Sequence, residues 1–316
     1  MTYIGRLAPS PTGAQHVGNA RTYLAAWLLC RQAQGKILLR IEDLDTPRTK
    51  IGATEQAIED LRWLGLDWDQ HSSASLFTTQ SDRESRYTEV LDELRRLGLV
   101  YPCTCTRSEI EGASSAPHES ILDGVVYPGA CSFRSPIDHR ALDEKGIAYA
   151  WRFRVPEGAR LFWDGKYGEQ TLDAKRYLGD FVVARSYGVT AYQLAVVVDD
   201  HDYGINHVVR GNDLIYSTYR QMALYESLGW EPPCWLHLPL VVGKDGRRLA
   251  KRHGDSRLCH YRKQGVAPER IVGYLGQSLG IQCSQLATPH DLLALIEHDR
   301  VWVLRSSMEA IVFDGF

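Results

Sequence analysis

Hydrophobic and polar positions at the start of the chain follow the pattern of a strand, a turn, a helix and a second strand. Residues 3–8 predict a short strand, and the run of Pro, Ser, Thr and Gly at 9–13 predicts a turn. Apolar residues then recur at helical spacing over about 18–34, and an apolar strand is predicted over 36–41. A βαβ unit of this kind implies a parallel sheet.

Further along the chain, the same periodicities predict more helices and two more strands. The mostly apolar run 191–198 predicts a strand buried on both faces, and residues 238–242 predict another strand that leads into a turn at 244–246. Residues 101–175 contain several glycines and short alternating segments, which predict an inserted module with strands. The predicted helices cover about 54–64, 84–97, 216–228 and most of the chain from 268 onward.

These elements predict an α/β fold built on a Rossmann-type parallel sheet, which makes up the main domain. The inserted α/β module interrupts this domain, and a C-terminal helical segment follows it. The predicted boundaries are 1–100 for the first half of the main domain, 101–175 for the inserted module, 176–260 for the second half and 261–316 for the helical segment.

Composition points to a reducing compartment. The chain has 316 residues, 44% of them hydrophobic, and its opening lacks the basic start and continuous apolar run of a signal peptide. No apolar run reaches the roughly 18 residues that a membrane helix needs. The seven cysteines are an odd number, and only Cys103 and Cys105 lie close together, which favours reduced thiols over disulfides. We therefore expect a cytoplasmic protein that makes no contact with a membrane.

The overall charge neither requires nor excludes a nucleic-acid partner. The chain carries 36 Lys and Arg against 39 Asp and Glu, a net charge of -3, so a polyanion would have to meet a local basic surface. The candidates for such a surface are Arg247, Arg248, Lys251, Arg252 and His253. A short basic run like this one is more often only a solvated loop.

Two short motifs suit phosphate chemistry. Residues 16–19 lie where the first strand turns into a helix, and a helix start offers free N–H groups and a positive dipole end. Gly18 lets a phosphate or adenine approach the backbone, and His16 can donate to a phosphoryl oxygen as charge builds at the α-phosphorus. Lys251, within residues 248–252, can neutralise a pyrophosphate leaving group. Taken alone, the first motif is more often a turn and the second a basic surface loop.

The two motifs in this order, with Arg-Leu-Ala-Pro-Ser-Pro-Thr-Gly at 6–13 before the first, resemble the class I aminoacyl-tRNA synthetases. Residues 16–19 look like the HIGH signature of that class, and residues 249–252 look like its KMSKS loop. The resemblance covers nearly the whole chain and implies a ligase that activates an amino acid with ATP. Three further segments resemble the glutamyl branch of the class: residues 40–48, 197–200 and 210–214.

The resemblance also implies roles for individual residues in the activation step, with Mg²⁺ assisting. Asn19 replaces the second His of HIGH, a change that is common in glutamyl members. Ala250 and Arg252 occupy the two serine positions of KMSKS and Arg248 its first lysine, so Lys251 is the one matched lysine. We expect activation to survive these departures. The residues that would bind ATP are His16, Gly18, Asn19 and Lys251. Of these, His16 and Lys251 would also be catalytic.

Glutamate brings two carboxylates and one ammonium, so its pocket needs cationic groups and one anion. Arg6 and Arg210 can each clamp a carboxylate bidentately, and Glu42 can meet the ammonium. Which arginine faces which carboxylate stays open. The alternative is that Arg40, Glu42 and Asp43 are only ion pairs at a strand end. The glutamate-binding set that the resemblance implies is Arg6, Ala8, Ser10, Glu42, Tyr192 and Arg210.

Three cysteines in the predicted insertion suggest a metal site. Cys103, Cys105 and Cys131 would give three thiolates in a reduced protein, and structural zinc takes four closed ligands. The Tyr-x3-Cys pattern at Tyr127 resembles the site of short glutamylating paralogues, whereas full-length zinc enzymes can use a His at the position of Phe133. The resemblance thus implies Tyr127 and one structural Zn²⁺ that holds the inserted module. The spacing alone leaves the fourth ligand open among Tyr127, His118 and His139.

The short stretch of chain after the KMSKS-like loop distinguishes two kinds of glutamylating enzyme. Ordinary glutamyl-tRNA synthetases continue into a large helical anticodon-binding part, and too little chain follows here to form one. The short paralogues instead esterify glutamate to queuosine in the anticodon of tRNA(Asp). We therefore expect a monomer whose partners are L-glutamate, ATP and tRNA(Asp) with queuosine.

Three alternatives remain for the function. The nearest is a minimal or split glutamyl-tRNA synthetase that charges the 3' end of tRNA(Glu). A glutaminyl enzyme fits less well, because Arg6 and Arg210 would make both ends of the pocket cationic. A non-catalytic tRNA-binding paralogue has no physical reason to keep the chemistry-bearing set His16, Glu42, Arg210 and Lys251.

Overall fold

Parallel strand pairing organises the larger part of the chain. A computed structural model describes residues 2–11, 14–44, 51–71, 75–113, 124–185, 189–246, 249, 256–299, 302–313 and 315–316. The strands are β1 (Ile4–Leu7), β2 (Lys36–Ile41), β3 (Thr78–Thr79), β4 (Val100–Cys103), β5 (Ala150–Phe153), β6 (Ala159–Asp164), β7 (Gly168–Asp173), β8 (Phe181–Arg185), β9 (His207–Gly211), β10 (Cys234–Leu238), β11 (Val241–Val242) and β12 (Ile311–Val312).

The helices pack on both sides of these strands. Short 3-10 turns at Gln80–Arg83, Pro136–Asp138, Asn212–Leu214 and Trp302–Arg305 connect several elements. The α-helices are α1 (Val17–Gln32), α2 (Ala53–Trp63), α3 (Glu84–Arg96), α4 (Arg107–Ala113), α5 (His139–Glu144), α6 (Ala174–Tyr177), α7 (Tyr192–Asp202), α8 (Ile215–Leu228), α9 (Leu258–Lys263), α10 (Pro268–Ser278) and α11 (Pro289–Ile296).

Two parallel groups of strands meet side by side. β2 pairs with β1 and β3, and β10 pairs with β9 and β6, all in parallel. β1 lies beside β9, because Asn206 N donates to the Ile4 carbonyl (3.0 Å) and Ile4 N donates to Asn206 Oδ1 (2.8 Å). The carboxyl ends of β1, β2, β9 and β10 therefore lie along one edge, where ligands bind in open α/β sheets.

The predicted βαβ unit is confirmed. Its two strands and its helix are β1, α1 and β2, and their ends agree with the prediction to within about two residues. Helices α2, α3 and α8 also form where the hydrophobic periodicity predicts them, and the chain from Pro268 onward is mostly helical. The α/β fold with a parallel sheet is therefore the one that the sequence predicts.

The prediction of a strand over 191–198 is wrong, because this run forms helix α7. Every residue from Leu194 to Asp200 is buried, so the helix has no polar face in this stretch to set a helical period. A continuous apolar run does not distinguish a buried strand from a buried helix. The run continues into Asp199 and Asp200, whose carboxylates find buried cationic partners described below.

The strand predicted over 238–242 is also only partly correct. β10 runs earlier in the chain and ends at Leu238, and Pro239, which lacks an N–H group, follows it. Val241–Val242 forms the separate two-residue strand β11, which pairs in parallel with β12. The predicted turn at 244–246 is present.

The inserted region contains a small antiparallel sheet of its own. β4 pairs with β5 and β5 with β8, and a small buried cluster containing Tyr101, Cys103, Tyr127 and Cys131 lies on it. The β6–β7 hairpin belongs instead with β10, through the pair Trp235 and Asp164. Sheet membership therefore crosses the predicted boundary at residue 175, and the four predicted domain ranges stay a prediction.

Helix α1 forms the centre of the larger hydrophobic core. Trp27 and Leu28 are fully buried, and Trp302 of the C-terminal segment is fully buried with its indole N–H bonded to Gln32 Oε1 (3.2 Å). Lys166 of the β6–β7 hairpin donates from Nζ to the Val303 and Leu304 carbonyls (3.2 and 3.0 Å). These contacts hold the C-terminal segment against the parallel sheet. None of the helices in the described ranges is long and apolar enough to span a membrane.

We predict that Gly273→Ala destabilises the fold. Gly273 lies inside α10, and a Cβ there would overlap with the Gln285 carbonyl and come within 2.9 Å of the Ser284 carbonyl. Overpacking of this kind costs about 1–3 kcal/mol. The measurement is the urea midpoint of unfolding. The matched control is Gly112→Ala in α4, where a Cβ meets nothing within 4 Å and alanine improves helix propensity. Equal midpoints for the two variants would contradict the prediction.

Candidate active site

Four of the residues predicted to bind glutamate lie near one another at the carboxyl edge of the parallel strands. Arg6 lies near the end of β1, Glu42 follows β2, and Arg210 lies near the end of β9. Tyr192 is the first residue of α7, which packs beside them. Burial raises the pKa of Tyr192, with Glu42 adding to this and Arg210 opposing it, so these groups are close enough to interact.

Arg6 is buried with unused hydrogen-bonding capacity. Its Nη1 donates to the Val209 carbonyl (3.1 Å), whereas its Nε is buried without a hydrogen-bond partner among the described residues. The nearest carboxylate oxygen is Asp200 Oδ1, 3.9 Å from Nε, which is too far for a hydrogen bond. A buried N–H without a partner costs free energy, so Arg6 is prepared to donate to an incoming anion.

Arg40 and Glu42 form the ion pair that the alternative interpretation of the sequence predicts. Arg40 Nη2 is 3.0 Å from Glu42 Oε1, and Arg40 Nη1 is 2.5 Å from Asp200 Oδ1. Burial raises the pKa of Glu42 above its ordinary value, while Arg40 and Arg6 oppose this rise. Asp43 points elsewhere and accepts from Ser81 N and Oγ (2.9 and 2.6 Å). The ion pair and a binding role for Glu42 are compatible, because only one of its two oxygens bonds to Arg40.

Arg210 donates four hydrogen bonds to the residues that the structure describes, all to uncharged acceptors. Nε donates to His237 Nε2 (3.0 Å), Nη1 to Gln221 Oε1 (2.9 Å), and Nη2 to Thr218 Oγ1 (2.7 Å) and the Leu214 carbonyl (3.3 Å). Of its five N–H groups, one on Nη1 is left for a ligand. The bidentate clamp predicted for Arg210 is therefore not available in this arrangement, which instead offers one N–H and a full positive charge.

The pocket carries more positive than negative charge. Three buried guanidinium groups, those of Arg6, Arg40 and Arg210, face the carboxylates of Glu42 and Asp200. Asp199 lies beside Arg40 but is bound mainly by other groups, which are Arg83, Tyr87 and Gln80. Arg210 has no carboxylate within ion-pair distance among the described residues. A ligand with one net negative charge would balance this set.

The two small residues of the predicted glutamate-binding set, Ala8 and Ser10, lie in the segment between β1 and α1. Ala8 is half-buried and Ser10 is exposed. The Pro9 carbonyl between them accepts from Glu42 N (3.0 Å), and the Ser10 carbonyl accepts from Gln15 Nε2 (3.3 Å). These bonds hold the segment beside Glu42, which places Ala8 and Ser10 at the pocket without giving either a charged role.

The HIGH-like motif forms the N-terminus of α1, as predicted. His16 is the N-cap residue with extended backbone angles, and Asn19 Oδ1 accepts from His16 N (3.2 Å). The Asn19 side chain thus caps the N-terminus of α1 by accepting this N–H group. A Cβ added at Gly18 would lie 3.4 Å from Val241 Cβ, so glycine keeps this side of the helix close to β11. The positive end of the 16-residue helix is oriented toward the carboxyl edge of the sheet.

The segment that follows the KMSKS-like loop pairs with the HIGH-like motif. His16 Nδ1 lies 3.0 Å from Ser256 Oγ, and Val17 N donates to the Ser256 carbonyl (3.0 Å). Lys251 and its basic neighbours Arg247, Arg248, Arg252 and His253 lie outside the described residues, so their predicted roles stay predictions. The chain after the loop nevertheless returns to the α1 N-terminus.

The three predicted cysteine ligands come together in the inserted sheet. The Sγ atoms of Cys103, Cys105 and Cys131 lie within 4.8 Å of one another, and those of Cys105 and Cys131 are 3.6 Å apart. Sulfurs of a tetrahedral zinc thiolate site lie about 3.8 Å apart, because each Zn–S bond is about 2.3 Å. Although burial opposes it, hydrogen bonds from Thr104, Tyr127 and Cys105 lower the pKa of Cys131 to about 7. This donor set fits Zn²⁺.

Tyr127 is the best-placed fourth ligand in the described part of the chain. Its hydroxyl oxygen lies 3.3 Å from Cys103 Sγ and 3.7 Å from Cys105 Sγ, and it accepts from Cys131 N (2.7 Å). Both ring nitrogens of His139 are engaged elsewhere, by Arg95 and the Pro136 carbonyl. His118 lies outside the described residues. Phe133 is exposed and has no metal-binding atom.

Sequence reasoning missed several residues that shape both sites. Arg152 donates to Cys103 Sγ (3.3 Å), and its guanidinium lies 3.9 Å from the centre of the Tyr127 ring, so it faces the thiol cluster with a positive charge. Asp200 bonds to Arg40 in the pocket, and His237 bonds to Arg210. Asp199-Asp200 belonged to a motif that the sequence analysis identified, but nothing in the local pattern around Arg152 or His237 indicates a role.

Comparison with known proteins agrees with the resemblance. A family profile described as tRNA synthetases class I (E and Q), catalytic domain, matches residues 4–313. A glutamyl-Q tRNA(Asp) synthetase of Rhodopirellula baltica is 49% identical over 288 residues, which cover 88% of this chain and 85% of the relative. One of Symbiobacterium thermophilum is 44% identical over 301 residues, which cover 94% and 93%.

The fold is shared with a solved enzyme. The crystal structure of a glutamate tRNA ligase from Elizabethkingia meningosepticum in complex with its amino acid superposes with a TM-score of 0.82 and 25% identity. The match covers 99% of this chain and 67% of that one. The profile match over nearly the whole chain, together with the close relatives, shows the family. This chain belongs to the class I tRNA synthetases of the E and Q type, and is a ligase of that family.

Proposed function

We propose that this protein activates L-glutamate with ATP and transfers it to queuosine in the anticodon of tRNA(Asp). The observation that carries the glutamate assignment is the buried pocket of Arg6, Arg210, Glu42 and Tyr192, whose positive charges exceed its negative ones. The choice of tRNA rests on the relatives named glutamyl-Q tRNA(Asp) synthetase, which match this chain over most of both lengths. A cytoplasmic location and a monomeric state remain predictions.

Arg6 and Arg210 would bind the two carboxylates in different ways. Arg6 has a buried Nε–H that no described residue accepts and can donate from Nε and Nη2 together, whereas Arg210 contributes one Nη1–H and its charge. The Glu42 oxygen that does not bond to Arg40 would accept from the substrate ammonium, and the Tyr192 hydroxyl would hydrogen-bond the bound amino acid. Glutamine would lack the second carboxylate, so it would leave one buried arginine without an anion.

Activation would proceed by attack of the glutamate α-carboxylate on the α-phosphorus of ATP. A bond forms between the carboxylate oxygen and phosphorus, the bond to the pyrophosphate breaks, and glutamyl-adenylate and pyrophosphate result. The chain contributes position and charge: His16 and the α1 N-terminus would stabilise the phosphoryl oxygens, and Lys251 would meet the leaving pyrophosphate. Bound Mg²⁺ would supply further charge neutralisation. A hydroxyl of the queuosine ring would then attack the mixed anhydride and release AMP.

The three cysteines and Tyr127 would hold one structural Zn²⁺. The metal would fix the inserted sheet in shape by closing the loop between β4 and Cys131, and it would take no part in the reaction. Because Cys103 ends β4, a fixed metal site also fixes the strand that pairs with β5.

The function is tested by a charging assay with purified protein, ATP, Mg²⁺ and labelled glutamate. We expect label on queuosine-modified tRNA(Asp) and none on unmodified tRNA(Asp) or on tRNA(Glu). Removal of the 3'-terminal adenosine from the tRNA should leave this labelling intact, because the acceptor hydroxyl lies in the anticodon. Label that appears on tRNA(Glu) and is abolished by removal of the 3'-terminal adenosine would show a minimal glutamyl-tRNA synthetase instead.

Replacing Arg6 tests the glutamate pocket. We expect Arg6→Met to raise the KM for glutamate about 10- to 100-fold, because a hydrogen bond to a charged group contributes about 1.5–3 kcal/mol, while the KM for ATP stays unchanged. The measurement is glutamate-dependent exchange of pyrophosphate into ATP, with and without tRNA. Arg86→Met, at a partly exposed arginine that pairs with Asp202, is the matched control. Parallel changes in both KM values would contradict the assignment.

Replacing Tyr127 tests the metal site. Tyr127→Phe removes the fourth ligand atom. Loss of a residue that only bonds to a metal ligand already lowers metal affinity about 10- to 100-fold, so we expect zinc affinity to fall at least about tenfold. Zinc per chain is measured by mass spectrometry after competition with a chelator. Tyr101→Phe is the control, because the Tyr101 hydroxyl donates to Asp180 Oδ2 (2.7 Å) and not to a sulfur. Equal zinc retention in the two variants would remove Tyr127 from the ligand set.

A further inference from the structure

Arg210 is the end of a buried hydrogen-bonded row that crosses three adjacent parallel strands. Arg210 on β9 and His237 on β10 are direct partners in the strand register, and Asp164 ends the next strand, β6. Arg210 Nε donates to His237 Nε2 (3.0 Å), and His237 Nδ1 lies 2.6 Å from Asp164 Oδ2. Asp164 and His237 are fully buried, and Arg210 is 4% exposed. Neither Asp164 nor His237 belongs to the glutamate pocket itself.

The partners of His237 determine which ring nitrogen carries its proton. Arg210 Nε can only donate, so His237 Nε2 must present its lone pair to it. The proton of the neutral ring therefore lies on Nδ1 and is donated to Asp164 Oδ2. The other oxygen of Asp164, Oδ1, accepts from the backbone N–H groups of Lys166 and Tyr167, both at 2.9 Å, which fixes the orientation of the carboxylate.

His237 stays uncharged in this row. Burial lowers the pKa of His237 to about 4, with Arg210 adding to the effect and Asp164 opposing it. A neutral imidazole gives Arg210 Nε a strong acceptor without cancelling its positive charge. A carboxylate in the same place would form an ion pair with Arg210 inside the protein and would compete with a carboxylate of the ligand. The imidazole thus places one neutral ring between the only two charged members of the row.

We propose that His237 and Asp164 are positioning residues that hold Arg210 in the pocket with its charge available to a substrate carboxylate. This inference rests on the proposed function, since it assumes that Arg210 binds glutamate. Asp164 fixes the tautomer of His237, His237 fixes the Nε edge of Arg210, and Gln221 and Thr218 on α8 fix the remaining edge. These bonds fix the orientation of the guanidinium group, and with it the direction of the one Nη1–H that remains for the ligand.

Asp164→Asn is the sharpest test, because it changes one atom and leaves the pocket residues intact. The amide oxygen would keep the Lys166 and Tyr167 N–H groups, so the amide NH₂ would face His237 Nδ1 and the bond that His237 N donates to Asp164 Oδ2 (3.1 Å) would be lost. His237 would have to accept there and carry its proton on Nε2, directed at the Nε–H of Arg210. We expect the KM for glutamate to rise about 10- to 100-fold, the effect of losing a hydrogen bond to a charged group, with kcat and the KM for ATP little changed.

Two substitutions of His237 separate positioning from packing. The side chain of His237→Gln reaches the Nε2 position with an oxygen that can accept from Arg210, so it should retain a glutamate KM within about threefold of the wild type. The shorter amide of His237→Asn can bond to Asp164 but does not reach Arg210, so its glutamate KM should rise about as much as that of Asp164→Asn. A purely structural role would instead make the glutamate KM follow the loss of thermal stability across all three variants.

Asp180→Asn is the matched control for a buried carboxylate. Asp180 Oδ1 also accepts a backbone N–H, that of Val155 (2.9 Å), and Asp180 lies outside the row. We expect this variant to melt at a lower temperature while its glutamate KM stays at the wild-type value. The tautomer provides a readout apart from activity: in ¹⁵N-histidine NMR spectra, the signal lost in His237→Gln should be that of a neutral ring protonated at Nδ1, and Asp164→Asn should shift it to the Nε2-protonated form.

The outcomes distinguish this inference from the proposed function. Wild-type glutamate KM values in both Asp164→Asn and His237→Asn, or an Nε2-protonated ring in the wild-type protein, would overturn the positioning role and leave the proposed function intact. Absence of any glutamate-dependent exchange in the wild-type protein, with or without tRNA, would overturn both.

Discussion

The buried ion network at the carboxyl edge of the sheet is the interaction on which the arrangement of this protein depends. Arg6 on β1 and Arg40 on β2 are both buried, and Asp200 of α7 lies 3.9 Å from the first and 2.5 Å from the second. A buried charge without a partner is strongly destabilising, so these strands and this helix are stable only together. The network thereby fixes α7, and with it Tyr192, over the ends of the strands.

This network also explains which parts of the fold the sequence could predict. The elements from β1 to β2 were predictable because each has its own periodicity and is bounded by turn residues. Helix α7 was not predictable, because residues 194–200 are all buried and a stretch without exposed positions shows no helical period. What decides the structure of this run is the placement of Asp199 and Asp200 against arginines far away in sequence, which no local pattern shows.

In the candidate site, too, local motifs identified residues, whereas contacts between distant segments were not predictable. Arg6, Glu42, Tyr192 and Arg210 were identified from motifs, and the structure places them together, but their hydrogen bonds come from distant segments. Arg210 is an example: its side-chain acceptors lie on α8 and β10, and its fourth acceptor is the Leu214 carbonyl, so the sequence suggested a free bidentate fork where the structure leaves one N–H. The cysteine set was predictable because three thiols lie within 29 residues and the Tyr-x3-Cys pattern resembles the site of short glutamylating paralogues. Arg152 was not, because its contact with Cys103 spans two strands of a sheet.

The pocket and the inserted sheet are joined by the same helix that the ion network fixes. A cavity of about 470 Å³ lies between them, lined on one side by Cys103, Tyr127 and Arg152 and on the other by Gln193 of α7 and Arg220 of α8. Gln193 follows Tyr192 directly, and its side chain bonds to Gln221, which in turn accepts from Arg210. A nucleic acid that reaches the proposed glutamate pocket across the insertion would contact the residues that line this cavity. The metal site would then set one face of the cavity and the arginine network the other, so the relative position of substrate and acceptor depends on both.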